Sequence, residues 1–121
     1  MTQEDKELLL KDLCARLPYG VIIQIKDWTV LDAELKIGHI NRLQISDVEL
    51  KPYLFPMSSM TEEQKVIYGD LCYSIIQSLA NNMQSELNEL INWLNVHHFD
   101  YRGLIEKGLA IPVTKENNPY K

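Results

Sequence analysis

The chain is poor in the residues that usually announce chemistry. It has two cysteines, Cys14 and Cys72, far apart and with no CxxC pair, so neither a disulfide framework nor a thiolate metal site is indicated. Both lie in apolar helical surroundings and are expected as buried free thiols. The five glycines, at 20, 38, 69, 103 and 108, stand singly, which leaves no glycine-rich loop of the kind that cradles phosphate. No Gly-x-Ser-x-Gly elbow is present. Nowhere do 18 apolar residues follow one another, and the opening Met-Thr-Gln-Glu-Asp is too acidic for a secretory leader, so a cytoplasmic setting with no membrane partner is expected. Basic residues are outnumbered, 12 against 17 for a net charge of −5, and the surplus is spread over both halves, which gives no basic region for bulk polyanion binding.

What is present reads as one domain over 1–121. Hydrophobic residues make up 45% of 121 positions, enough to close a single modest core. Leu9, Leu13 and Leu17 recur at helical spacing behind a Thr2 cap and predict a helix within 1–17, which Pro18 and Gly20 end. From Val21 the period changes to two. Val21, Ile23 and Ile25 share a face, and Leu31, Ala33, Leu35 and Ile37 alternate with Asp32, Glu34 and Lys36. With Gly38 as a bulge or turn and Ile40, Leu43, Ile45, Val48 and Leu50 as material for shorter strands, residues 21–50 predict a small antiparallel, SH3-like sheet of three or four strands.

Two prolines make 51–60 an extended, packed bridge. Thr61 and Gln64 form a capping box, after which apolar residues continue to Leu94. That pattern predicts one long or kinked helix over 62–95, with two helices broken near Asn81 as the alternative. A short helix at 101–107 ending at Gly108 and a loose polar tail over 114–121 complete an α+β domain.

No catalytic or cofactor-binding set emerges. The densest group of metal-capable side chains is His97, His98 and Asp100, but adjacent histidines on an extended segment point to opposite faces, and the more economical role is to end a helix. Arg102 and Tyr101 lie among Phe99, Leu104 and Ile105, where a guanidinium suits a structural ion pair or an anion contact. These two, with Arg42 beside the sheet, are the candidate partner-binding residues.

Four blocks carry a resemblance: ELLLKDLCARLPYGV at 7–21, KPYLFPMSSMTEE at 51–63, WLN at 93–95 and FDYRGLIEKGLA at 99–110. Through them the chain resembles a group of small proteins encoded by intestinal anaerobic bacteria and by their phages and mobile elements, a group to which no activity, substrate or catalytic residue is assigned. The resemblance implies a bacterial cytosol as the setting, with a host or defence factor as target. The expected function is that of a non-enzymatic protein-binding or adaptor module, needing no cofactor and able to form a homodimer through the helical region 62–95. The alternative is a nucleic-acid-associated regulator contacting phosphate near Arg42.

Overall fold

The computed structural model describes residues 1–46, 48–78 and 84–121. Helix α1 spans Gln3–Arg16, and the Thr2 hydroxyl accepts from the Asp5 amide at 3.1 Å as the sequence predicts. Strands β1 (Ile22–Lys26) and β2 (Val30–Glu34) form an antiparallel hairpin, and β3 (Glu49–Leu54) pairs antiparallel with the other edge of β1. The two-residue β4 (Ile111–Pro112) then joins β3 in parallel. The strand order is β2-β1-β3-β4, a mixed sheet in place of the wholly antiparallel one expected; no SH3-like barrel is shown.

The region after β2 departs furthest from expectation. Residues Ile37–Ile45 form helix α2, not strands, with Gly38 inside its first turn and in no bulge. Its start is fixed by the His39 ring, whose Nδ1 accepts from the Lys36 amide at 2.9 Å. Ile40 and Leu43, three apart, are its buried residues, a spacing that serves a helix as well as it serves the ends of short strands. One face of the sheet carries Val21, Ile23, Leu50 and Leu54, and α1 and α2 cover it with Leu9, Leu13, Ile40 and Leu43. Pro52 lies opposite Ile23, at a position whose missing N–H faces away from β1, so the ladder loses no bond to it.

Helix α3 spans Glu62–Gln77 and α4 spans Gln84–Val96. The capping box is formed as predicted, with Gln64 N–H donating to Thr61 and Thr61 N–H donating to the Gln64 side chain. A single straight helix would separate Tyr68 from Trp93 by about 37 Å. Their rings instead lie 6.4 Å apart, which rules out the one long straight helix expected over 62–95; the alternative, a break near Asn81, falls outside the described residues. A second core forms around Met60, Leu94 and Phe99. Where a helix was expected at 101–107 there are turns, because the Leu104 and Ile105 amides are drawn to the Asp100 carboxylate and Gly103 takes a positive φ. Cys14 is exposed and Cys72 half-buried, and both are free, which corrects the expectation of two buried thiols.

Candidate functional site

The most concentrated polar chemistry is buried, and it joins the two ends of the chain. Asp12 and Arg16, one turn apart on α1, are both sealed from solvent and share an ion pair, Nε to Oδ2, at 2.8 Å. Arg16 Nη2 also donates to the Phe99 carbonyl at 2.6 Å. The second Asp12 oxygen accepts from Arg102 at 2.9 Å, and Arg102 donates as well to the Tyr101 hydroxyl, which itself donates to the buried Asn95 side chain. Both guanidiniums stand over the Tyr101 ring, at 5.1 Å and 4.8 Å. In a low-dielectric interior each charge needs this pairing, so the group acts as a clamp between α1 and residues 95–102. Arg102 and Tyr101, nominated for partner binding, are thus placed in that clamp.

The metal candidates are brought to different tasks. His97 packs on the Trp93 ring at 4.9 Å, while His98 stacks on Tyr120 at 4.2 Å with the rings nearly parallel. Asp100 spends its two oxygens on the Leu104 and Ile105 amides. Among the described residues no three histidine, cysteine or acidic side chains gather as a metal ion would require. Burial, reinforced by Arg16 and His97, pushes the His98 imidazole down to about 4, so it is neutral at physiological pH. An open cleft of about 520 Å³ borders Ser58, Tyr68, Asp100, Tyr101 and Glu106.

The tail is tied in by Tyr120. Its hydroxyl accepts from the Ile22 amide at 3.0 Å and donates to the Tyr53 carbonyl at 2.7 Å. In the β1–β3 register Ile22 and Tyr53 would be the next bonded pair, and the phenol is inserted where the two strands part. Burial pushes this phenol up, so it stays protonated and keeps its donor.

A surface of the opposite character surrounds the β1–β2 hairpin. Trp28 stands at the hairpin tip between Asp27 and Thr29 and is 96% exposed; Val30 and Leu31 on β2, with Ile37 and Ile45 on α2, are also exposed, Ile45 at 85%. Arg42 reaches from α2 to an ion pair with Asp27, which ties the tip to the helix and neutralises the charge nominated for phosphate contact. Strand β2 is the sheet edge. The bonds Leu35 N–H to Val21 and Asp27 N–H to Thr29 set the ladder's phase, in which odd-numbered residues of β2 face β1. Val30, Asp32 and Glu34 therefore turn their amides and carbonyls outward, on an edge that no further strand covers among the described residues. On the side away from α1 and α2, the Asp32 carboxylate accepts from the Tyr53 hydroxyl at 2.9 Å and Glu34 pairs with Lys36 at 2.6 Å.

Sequence reasoning missed this surface because period-two alternation identifies a strand and not its place in the sheet. The available signal was Trp28, a large aromatic inside a tight loop between two strands. Comparison with protein-family models, with curated proteins and with solved structures finds no match.

Proposed function

We propose that the chain is a non-enzymatic protein-binding module that takes an extended segment of a partner onto the open edge of β2. The observation that carries this reading is the row of outward backbone groups at Val30, Asp32 and Glu34 beside an almost fully exposed Trp28. Strand addition draws affinity from such a row, and alternate side chains supply specificity. The half-exposed Leu31 asks for an apolar residue on one side of the incoming strand, and Asp32 with Glu34 ask for basic residues on the other. The partner segment accordingly alternates apolar and basic residues, and the Trp28 ring closes over its end. In the bacterial setting that the resemblance implies, a host or defence protein is the natural owner of such a segment.

Two substitutions at one position test this. Asp32→Pro removes an outward N–H without touching the β1 ladder, whereas Asp32→Asn keeps that N–H and an acceptor for Tyr53. Tagged wild-type and variant chains are incubated with cytosol of the native host, with and without nuclease, and captured proteins are compared by mass spectrometry. The expected result is a partner held by wild type, held less tightly but still captured by Asp32→Asn, which loses only the charge, and lost with Asp32→Pro. Identical capture by all three, or capture that depends on nucleic acid, overturns the reading.

A further inference from the structure

Helix α3 is unusual in having no buried residue along its 16 positions, although half of them are apolar or aromatic. The side facing α4 is accounted for: Tyr68, Leu71, Cys72 and Ile75 are half-buried, and Tyr68 lies against Trp93. The opposite side carries a second stripe, Val66, Gly69, Tyr73 and Ile76, whose spacing of three, four and three is that of a helix-packing seam. Val66, Tyr73 and Ile76 are 63%, 62% and 59% exposed, and a Cβ built on Gly69 would meet nothing within 4 Å. A glycine in mid-helix weakens the helix relative to alanine, and among the described residues nothing packs close enough to require it there.

We propose that this stripe is the contact between two copies of the chain, packed antiparallel about a two-fold axis level with Leu71. That one axis brings Val66 opposite Ile76 of the second copy and, at the same time, Gly69 opposite Tyr73 of the second copy. The largest side chain of the stripe thus meets the position that has none, twice by symmetry, and the stripe fits itself with no other sequence needed. The seam contains no charge.

With the axis level with Leu71 the two copies of α3 overlap over residues 65–77, about 20 Å of helix. A standard interface takes about 800 Å² from each partner, and a single helix pair of this length hides less, so the contact falls in the transient class. Each copy carries −5, and Asp70 flanks the seam in both, so association tightens as salt is raised. The face is separate from the β2 edge, and the two proposals stand or fall independently.

Sedimentation of the full chain across roughly 1 μM to 1 mM tests it. The expected result is a reversible monomer–dimer equilibrium that Gly69→Leu weakens at least tenfold while helicity by circular dichroism is kept or raised. Tyr73→Ser, which leaves Gly69 in place, weakens it similarly, and Asp32→Pro leaves it unchanged. A chain that stays monomeric throughout, or an association indifferent to both α3 substitutions, overturns the proposal. Loss of the dimer with Asp32→Pro alone would do the same and move the contact to β2.

Discussion

Arg16 bears a full charge and is sealed in the interior, while Trp28, the bulkiest apolar residue type in the chain, stands almost wholly in water. The clamp around Arg16 and the surfaces of the β1–β2 hairpin and α3 invert the usual assignment of charge to the outside and apolar residues to the core. Each inversion has its own cause. The clamp is affordable because Asp12, Phe99, Arg102 and Tyr101 supply it with partners, and it joins α1 to residues more than 80 positions later. The exposed residues have no such cover among the described residues, and the two readings above assign them to other molecules. On these two proposals stability and recognition are carried by different parts of the molecule, and substitutions in the two should separate cleanly.

The largest effect belongs to the clamp. Asp12→Ala leaves Arg16 buried without its carboxylate and releases Arg102, and urea unfolding should show a loss of about 3–5 kcal/mol. Adding Arg16→Met to that variant should recover part of the loss, because an apolar side chain of similar length removes the stranded charge. If Asp12→Ala costs no more than an ordinary surface change, the clamp is not what holds the two ends together.

An intermediate effect belongs to the tail. Tyr120→Phe keeps the ring against His98 and Phe55 but leaves the Ile22 amide and the Tyr53 carbonyl without the hydroxyl between them. The expected cost is about 1–3 kcal/mol, read by thermal or urea unfolding.

His98 gives a smaller effect with a definite sign. Its imidazole falls from the ordinary 6.5 when unfolded to about 4 when folded, so the unfolded state takes up the proton first. Its contribution is whole above about pH 6.5 and is lost as pH falls toward about 4. His98→Asn suits the positive φ of 61° at this position and removes the titrating ring. The stability of wild type relative to this variant should be constant at neutral pH and decline through the window; a difference independent of pH would contradict the stacked, neutral ring.

The smallest effect has the opposite direction. Gly69→Ala should stabilise the monomer by roughly 0.5–1 kcal/mol, since the added methyl enters open space on a helix. A destabilised monomer would mean that Gly69 is packed within the chain.

The sequence revealed those elements whose signals are local. The Thr2 and Thr61 caps, the β1–β2 alternation and the apolar period of α3 and α4 each lie within a few residues, and the structure keeps them. The sequence pattern of 37–45 misleads because Ile40 and Leu43 are too few to fix a period, and the N-cap of this helix is Lys36, outside the usual Ser, Thr, Asp and Asn set, with the His39 ring reaching back to its amide. At 101–107 a side chain overrode helical propensity: the Asp100 carboxylate competes for the amides a helix would have used. The clamp was half legible. Arg102 stood out among aromatics, but its acid lies 90 positions earlier and only the fold brings Asp12 to it. Edge position and missing cover are properties of the whole arrangement, so neither Trp28 nor the α3 stripe could be placed outside from periodicity.

One comparison tests the division most directly: urea unfolding of the triple variant Trp28→Ser, Tyr73→Ser, Ile76→Ser beside Asp12→Ala, at concentrations low enough to keep the chain monomeric. The account predicts that the triple variant stays within about 1 kcal/mol of wild type while the single clamp variant loses several. A triple variant as unstable as Asp12→Ala would show that these exposed residues hold the fold together, and would remove the basis for assigning them to partners.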